Sequence, residues 1–284
     1  MTKASPTCLV KDEAPLAPMR PTAIPWAPHA RAPHLLPYLV FLSVGLWCAF
    51  YPMLLSTFRR MEVNTGDTRL LNFILEHSYR WFRSWLTFHP ISLWDQPIFF
   101  PTVNVGAYSD ILLGSAPIYW LLRIGRFAPD TAFQLWMVAI LILDFVSMAL
   151  FLRNCLGFGR LPSAVGAFLF AFGSPRLAQL GHQQLLPQFF TMFAVYGLFR
   201  FFEPRKMSAK QGIHIFFLCF AAQLWAGFYL GWYLFLGLLV AAIWRCACSG
   251  IAGPSCSISG VIEPASRWQG SCSSFSSRRW PTTT

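Results

Sequence analysis

The sequence predicts an all-α fold, that of a polytopic helical membrane protein. Apolar residues make up 55% of the chain and charged residues only 12%, which lies well outside the composition of an ordinary soluble domain. The apolar residues form long blocks rather than an alternating pattern, and the block Leu35–Leu55 contains no charged residue. A bilayer core of about 30 Å requires roughly 20 apolar residues in a helix, which satisfies its own backbone hydrogen bonds in lipid. We therefore interpret these blocks as membrane-spanning helices.

About six spans are predicted within a transmembrane module that covers residues 35–245. They are Leu35–Leu55, Thr131–Leu152, Leu161–Gly173, Gln184–Phe202 and two short spans within Ile213–Trp244. As one helix the last block would extend about 48 Å, which exceeds a bilayer core of about 30 Å. Gly227 and Gly231 offer the break that divides it. Asp144 is a charged residue well inside the predicted span Thr131–Leu152, and both a functional role and a buried structural role remain open for it.

Two further helices are predicted on the outer membrane surface, in the first loop. The segment near 67–86 is amphipathic, with Leu, Ile and Trp residues on one face and Arg and Glu residues on the other, which favours the membrane interface. The segment 111–124 is apolar but short. Treating it as a second surface helix places Arg200, Arg205 and Lys206 on the cytoplasmic side with the N-terminus, in agreement with the positive-inside bias.

The two ends of the chain differ in composition from the module between them. Residues 1–34 are rich in Pro and Ala and are predicted to be a disordered cytoplasmic segment. Residues 246–284 are dense in Ser and contain no further apolar block. We interpret them as a low-complexity tail, with disorder and a shift of the reading frame as the two explanations.

The net charge of +11 raises the question of nucleic-acid binding. The basic residues are scattered over many short loops and never form one patch, so we exclude a nucleic-acid partner. They instead fit the loop charge bias of a membrane protein. The eight cysteines show no metal-ligand spacing.

Two acidic residues are candidates for catalysis. Asp67 is predicted to open the first surface helix at the mouth of the first span, and Asp110 to open the second one. Asp is favoured at helix N-termini, so a capping role is one reading of each residue. A role as general base toward a hydroxyl group is the other.

A polar stretch follows the short span Leu161–Gly173 and supplies candidate binding residues. Arg176 is a candidate for pairing with a phosphate group. His182, followed by Gln183 and Gln184, is a candidate donor or proton carrier. An ordinary connecting loop is the alternative. The sequence has no Gly-rich nucleotide loop, which argues against a soluble nucleotide-sugar or ATP site.

The order of these features is recognisable. The segments GDTRLLNFILEH, AYSDILLGSAPIYW and GSPRLAQLGHQQLLPQ follow one another across residues 66–188. The chain in this order resembles the N-terminal half of GT-C type membrane glycosyltransferases, a group that includes the protein O-mannosyltransferases and the lipid A aminoarabinose transferases. The resemblance covers roughly residues 35–245.

The resemblance implies a polyprenyl-phosphate sugar donor, an acceptor hydroxyl of unknown identity and transfer on the extracytoplasmic face of a bacterial inner membrane. It assigns activation of the acceptor to Asp67, with Asp110 as second catalytic candidate. The candidate substrate-binding residues are Arg176, His182, Gln183, Gln184 and Tyr119. No cofactor is implied with certainty, and a divalent metal ion is left open.

Two departures from the family accompany this resemblance. Several relatives carry an Asp where this chain has His182, which leaves a second-acid or metal role at that position open. The relatives are also much longer. The chain is therefore expected to be a truncated and inactive fragment if the natural sequence is interrupted. Two other functions stay open: a transporter, and a non-enzymatic membrane assembly subunit.

Overall fold

The computed structural model describes residues 35–60, 65–203 and 207–251. Within these ranges the chain is built of helices and contains no strand. The helices are α1 (Leu36–Leu55), α2 (Thr65–Leu86), α3 (Ala116–Ile124), α4 (Pro129–Asn154), α5 (Arg160–Phe172), α6 (Ser174–Leu177), α7 (Phe189–Phe202), α8 (Ala209–Ala226) and α9 (Phe228–Ile251). Short 3-10 turns lie at Val105–Tyr108 and Gln183–Leu185. The all-α prediction is confirmed for this part of the chain.

Four of the described segments are long and apolar enough to cross a membrane. They are Leu36–Leu55, Pro129–Asn154, Gln183–Phe202 and Phe228–Ala247. The predicted division of the last apolar block is confirmed, because Gly227 adopts an extended conformation between α8 and α9. The spans predicted at α5 and α8 fall outside this set of four, so their crossing of the membrane remains a prediction.

Several boundaries differ from those predicted. Helix α3 begins at Ala116 rather than Ile111, because Pro117 occupies its first turn, where the missing N–H of Pro costs nothing. Helix α9 continues to Ile251, six residues past the predicted end of the module at 245. The predicted disordered segment 1–34 and the tail from 252 onward lie outside the described residues.

Helix α2 divides its apolar face between the protein and its surroundings. Leu71, Ile74 and Leu75 are buried in the core, where α2 packs against α3 and α4. Trp85 and Leu86, in the last turn, are exposed. The first half of the predicted interfacial face is therefore a protein contact, and the exposed apolar residues at the end of the helix are the part suited to a membrane interface.

Contacts between helix ends show that the helices alternate in direction. At one end of the bundle, His182 contacts Asp67 at the start of α2, and the Gly114 N–H donates to the Trp225 carbonyl near the end of α8 at 2.9 Å. At the other end, Arg200 of α7 donates to the Asn154 carbonyl at the end of α4 at 2.6 Å. The loops predicted to lie outside therefore share one end of the bundle.

Helices α7 and α8 cross at two glycines. A Cβ atom on Gly212 would lie 2.7 Å from the Phe201 nitrogen and 2.8 Å from the Gly197 carbonyl oxygen. Small residues at a crossing let helix backbones approach closely, which is a common packing mode in membranes. Both positions therefore require glycine.

We expect Gly212→Ala to destabilise the protein by about 1–3 kcal/mol, as overpacking does. The matched control is Gly237→Ala, since a Cβ there meets nothing within 4 Å, and the same substitution in a helix interior is worth roughly 0.5–1 kcal/mol of stabilisation. Thermal unfolding in detergent measures both. Equal midpoints for the two variants would contradict the close crossing.

The segment that follows α5 begins beside the middle of α4 rather than at the end of that helix. Helix α5 has 13 residues and rises about 20 Å, so it stops partway along the 26-residue helix α4. Arg176, just beyond it, reaches Asp144, which lies ten residues before the end of α4. Irregular backbone at membrane depth is tolerated only where protein surrounds it or water fills a cavity. Here the contacts of Arg176 and Asp144 surround the irregular backbone with protein.

Asp144 and Arg176 form a buried ion pair that closes this segment. The Arg176 guanidinium donates to Asp144 Oδ2 at 2.5 Å and to the carbonyls of Leu185 and Leu186 at 2.9 and 2.6 Å. Asp144 Oδ1 accepts from the Gln188 N–H at 3.0 Å, at the N-terminus of α7. The carboxylate of one helix thus caps another, and the structural reading of Asp144 is the one its contacts favour.

We expect Asp144→Asn to destabilise the protein by about 3–5 kcal/mol, because it leaves the Arg176 charge buried without a counter-ion. Adding Arg176→Gln to this variant should restore part of the loss, since glutamine keeps a donor for the carbonyls and carries no charge. Thermal unfolding in detergent gives the double-mutant cycle. Additive losses in the double variant would show that the two side chains are not coupled.

Candidate functional site

The structure brings together Asp67 and His182, two predicted site residues that lie far apart in the sequence. His182 Nδ1 lies 3.0 Å from Asp67 Oδ2, and the two side chains are 57% and 53% exposed. Asp67 is in the first turn of α2, where its carboxylate also faces the positive end of the helix dipole. The pair is therefore held by local structure and remains open to a ligand.

The loop that carries His182 is fixed to α2 by its neighbour in sequence. Gln183 is fully buried, and its amide donates to Thr68 Oγ1 at 2.9 Å and to the Leu180 carbonyl at 2.7 Å. Gln184 places its backbone carbonyl against Gly227, where a Cβ atom would lie only 2.6 Å away. Both glutamines thus position the loop. Among the described hydrogen bonds, neither side chain is bonded to His182 or Asp67.

A carboxylate that is hydrogen-bonded to an imidazole ring enables the ring to transfer protons. The carboxylate fixes the ring orientation and stabilises the imidazolium that forms when the ring accepts a proton. With Asp67 at Nδ1, the other ring nitrogen, Nε2, is the one available to a substrate, and no described residue forms a hydrogen bond with it. The pair can therefore take a proton from a hydroxyl group placed beside His182.

The predicted phosphate contact of Arg176 is not supported by its surroundings. Its side chain is only 8% exposed and its charge is met by Asp144. Arg176 already binds a carboxylate and two carbonyls, while its Nε is buried without a hydrogen-bond partner among the described residues. These contacts favour a role in shaping the loop that carries His182, and the phosphate contact stays a prediction.

Tyr119 likewise has a partner other than a substrate. It is fully buried, and its hydroxyl donates to Glu76 Oε2 at 2.8 Å. Arg123 donates to the same oxygen from Nε at 2.8 Å, so a carboxylate, a phenol and a guanidinium join α2 to α3. Burial, together with the neighbouring Glu76 carboxylate, raises the pKa of Tyr119, which keeps its proton as a donor. Its contact with Glu76 gives Tyr119 a structural role, and the substrate-binding role stays a prediction.

Sequence reasoning missed Glu76 and Thr68, which organise this end of α2. In the sequence, Glu76 is one residue of the polar face of a helix. Its spacing from Arg80 is that of a local pair, and the structure has this pair at 3.6 Å. Nothing in the spacing of Tyr119 and Arg123 pointed to Glu76 on another helix.

Asp110 does not open α3, and it lines a cleft that neither Asp67 nor His182 lines. It precedes the helix by six residues, so its predicted capping role is wrong. It is half-buried in a cleft of about 620 Å³ between the first loop and the α8–α9 junction, whose lining includes neither Asp67 nor His182. The catalytic role of Asp110 stays a prediction.

The stability of the protein should depend on the ionisation of Asp110. Burial raises the pKa of Asp110 above its ordinary value of 3.8, so the folded state holds this proton more tightly than the unfolded chain does. The free energy of unfolding then falls as the pH rises from that value through the folded pKa, and the cost is absent at lower pH.

We expect Asp110→Asn to raise the midpoint of thermal unfolding at about pH 7 but not at about pH 3, because only the ionised carboxyl carries the burial cost. The control is Asp95→Asn, which replaces an exposed acid in the same loop. A larger gain at the acidic pH would contradict the assignment.

Among the described residues, no group of three or more His, Cys, Asp and Glu side chains is placed to hold a metal ion. No protein-family model matches the chain, and no curated protein or solved structure shows significant similarity to it. Fold and site together define an all-helical protein, as far as the chain is described, with four segments long and apolar enough to cross a membrane and an exposed carboxylate–imidazole pair at one end of its bundle.

Proposed function

We propose that the chain is the membrane module of a glycosyltransferase that moves a sugar from a polyprenyl-phosphate donor to an acceptor hydroxyl on the extracytoplasmic face. The observation that carries the proposal is the contact between His182 and Asp67 at 3.0 Å. These residues are remote in sequence. The resemblance to GT-C type enzymes assigns activation of the acceptor to Asp67, and His182 lies where several of those enzymes carry an Asp.

The proposed reaction uses the pair as a general base. His182 Nε2 accepts the proton of the acceptor hydroxyl while the oxygen forms a bond to the anomeric carbon of the sugar. The bond from that carbon to the phosphate oxygen breaks, and the polyprenyl phosphate leaves with the bonding electron pair. Asp67 stabilises the imidazolium by its position at Nδ1, as a carboxylate does in other acid–imidazole pairs.

The position of the pair supports a donor that is held in the bilayer. The pair lies at the end of the bundle where α2 begins, and α2 ends in exposed apolar residues, including Trp85. A polyprenyl chain in the bilayer would keep the sugar phosphate at this level of the membrane. The charge bias of the loops assigns this end to the extracytoplasmic side, with the N-terminus in the cytoplasm.

The test is transfer of labelled sugar from polyprenyl phosphate in membranes that contain the chain. We expect Asp67→Asn and His182→Gln each to lower the rate by about 10²–10⁴-fold, the usual contribution of a general base. The double variant should be no slower than the worse single variant, because the two residues act as a unit.

The folded amount separates catalysis from helix capping. Asn caps a helix about as well as Asp, so Asp67→Asn should leave the thermal midpoint unchanged. Asp95→Asn, in an exposed acid remote in sequence from the pair, is the control and should keep full activity. Full activity in Asp67→Asn would remove the pair from the mechanism, and no transfer by the unaltered chain from any polyprenyl-phosphate sugar would overturn the proposal.

A transporter is the second candidate, favoured by the irregular segment and ion pair deep in the bundle. Broken helices with ionisable residues at mid-membrane are typical of secondary transporters. The contacts that Asp144 and Arg176 make with each other and with the backbone favour a structural pair instead. Solute uptake that is lost in Asp144→Asn, in a variant that still folds, and kept in Asp67→Asn would support the transporter.

A further inference from the structure

The cleft beside Asp110 has a lining unlike that of the Asp67–His182 pair. Its volume is about 620 Å³, and it lies between the loop that precedes α3 and the junction of α8 with α9. Five aromatic side chains line it together with the acid: Trp94, Tyr108, Trp225, Phe228 and Tyr229. No described Lys, Arg or His is among its lining residues.

The walls of the cleft are fixed to one another. The Gly114 N–H donates to the Trp225 carbonyl at 2.9 Å, which joins the first loop to the end of α8. A Cβ atom on Gly114 would lie only 2.3 Å from the Ala222 carbonyl oxygen, so the backbones are in direct contact. In the first loop, the Gly106 N–H donates to the Trp94 carbonyl at 2.8 Å. The cleft is thus a formed feature of the fold.

The charge in the cleft is uncompensated. Asp110 is half-buried, and its carboxylate has no hydrogen bond or ion pair with any described residue. A partly desolvated carboxylate without a partner is costly, and a cation supplied by a ligand would offset that cost. Aromatic faces attract the same kind of ligand, because the ring quadrupole is negative above and below the plane.

We propose that this cleft binds an organic ammonium group, with Asp110 as counter-ion and the aromatic side chains as the surrounding wall. A neutral ligand would leave the carboxylate unpaired, and an anion would be repelled by it. The ammonium group is either that of a small soluble amine or that of a lipid headgroup, since the cleft lies at a helix junction between the apolar helices α8 and α9. The proposal is independent of sugar transfer.

The test is isothermal titration of choline into the chain held in nanodiscs of phosphatidylglycerol, which lack ammonium headgroups. We expect binding of choline and little or no binding of dimethylbutanol, in which carbon replaces the charged nitrogen. Asp110→Asn and Trp225→Leu should each weaken choline binding roughly ten-fold or more.

The matched controls are Asp95→Asn and Trp85→Leu, which remove an acid and a tryptophan that do not line the cleft; both should bind choline as the unaltered chain does. Nanodiscs that also contain phosphatidylcholine separate the two sources. A weaker apparent affinity there means that the lipid headgroup occupies the cleft, and an unchanged affinity means that the ligand is soluble.

Three outcomes would overturn the proposal. They are no binding of choline, equal binding of dimethylbutanol or of a neutral sugar, and equal losses in the Asp110 and Asp95 variants. Circular dichroism of each variant, which must match that of the unaltered chain, excludes misfolding as the cause of a loss. Sugar transfer by the Asp67–His182 pair is measured separately, so failure of one proposal leaves the other intact.

Discussion

The ion pair between Asp144 and Arg176 is the constraint on which the rest of the bundle depends. Because α5 is short, the chain must turn well inside the bundle, and its carbonyl groups would otherwise be left unpaired in an apolar interior. Arg176 takes up two of those carbonyls, and Asp144 takes up the arginine and an N–H at the start of α7. Each charge is affordable only because the other is present.

The position of the candidate site follows from that turn. The segment held by Arg176 continues into His182, which contacts Asp67. The next residue, Gln183, binds Thr68, so this segment is joined to the start of α2. Asp67 therefore meets His182 on a segment whose position depends on Arg176, which precedes His182 by a few residues. The residue predicted to bind a phosphate thus has a role in positioning the site.

A second polar network holds the first loop against the bundle. Glu76 joins Tyr119 and Arg123, and Trp120 donates to Ser78 Oγ at 3.0 Å while stacking on Phe82. These contacts pair α2 with α3 and explain why half of the apolar face of α2 is buried in protein. An apolar helix face has the same spacing whether lipid or another helix covers it, so its sequence pattern cannot distinguish the two. The cleft at Asp110 forms where this loop meets α8.

The amino-acid sequence by itself determined the helical class, the apolar segments and the break near Gly227, because these depend on the length and composition of local segments. It also singled out Asp67 and His182 as polar residues at segment ends. Only the tertiary structure decided that these two meet, that Arg176 and Tyr119 are internal, and that Asp110 lines a cleft between the first loop and the α8–α9 junction. Each of those outcomes depends on which distant group a side chain reaches, such as Asp144 for Arg176 and Glu76 for Tyr119, and the spacing along one helix carries no information about a partner on another.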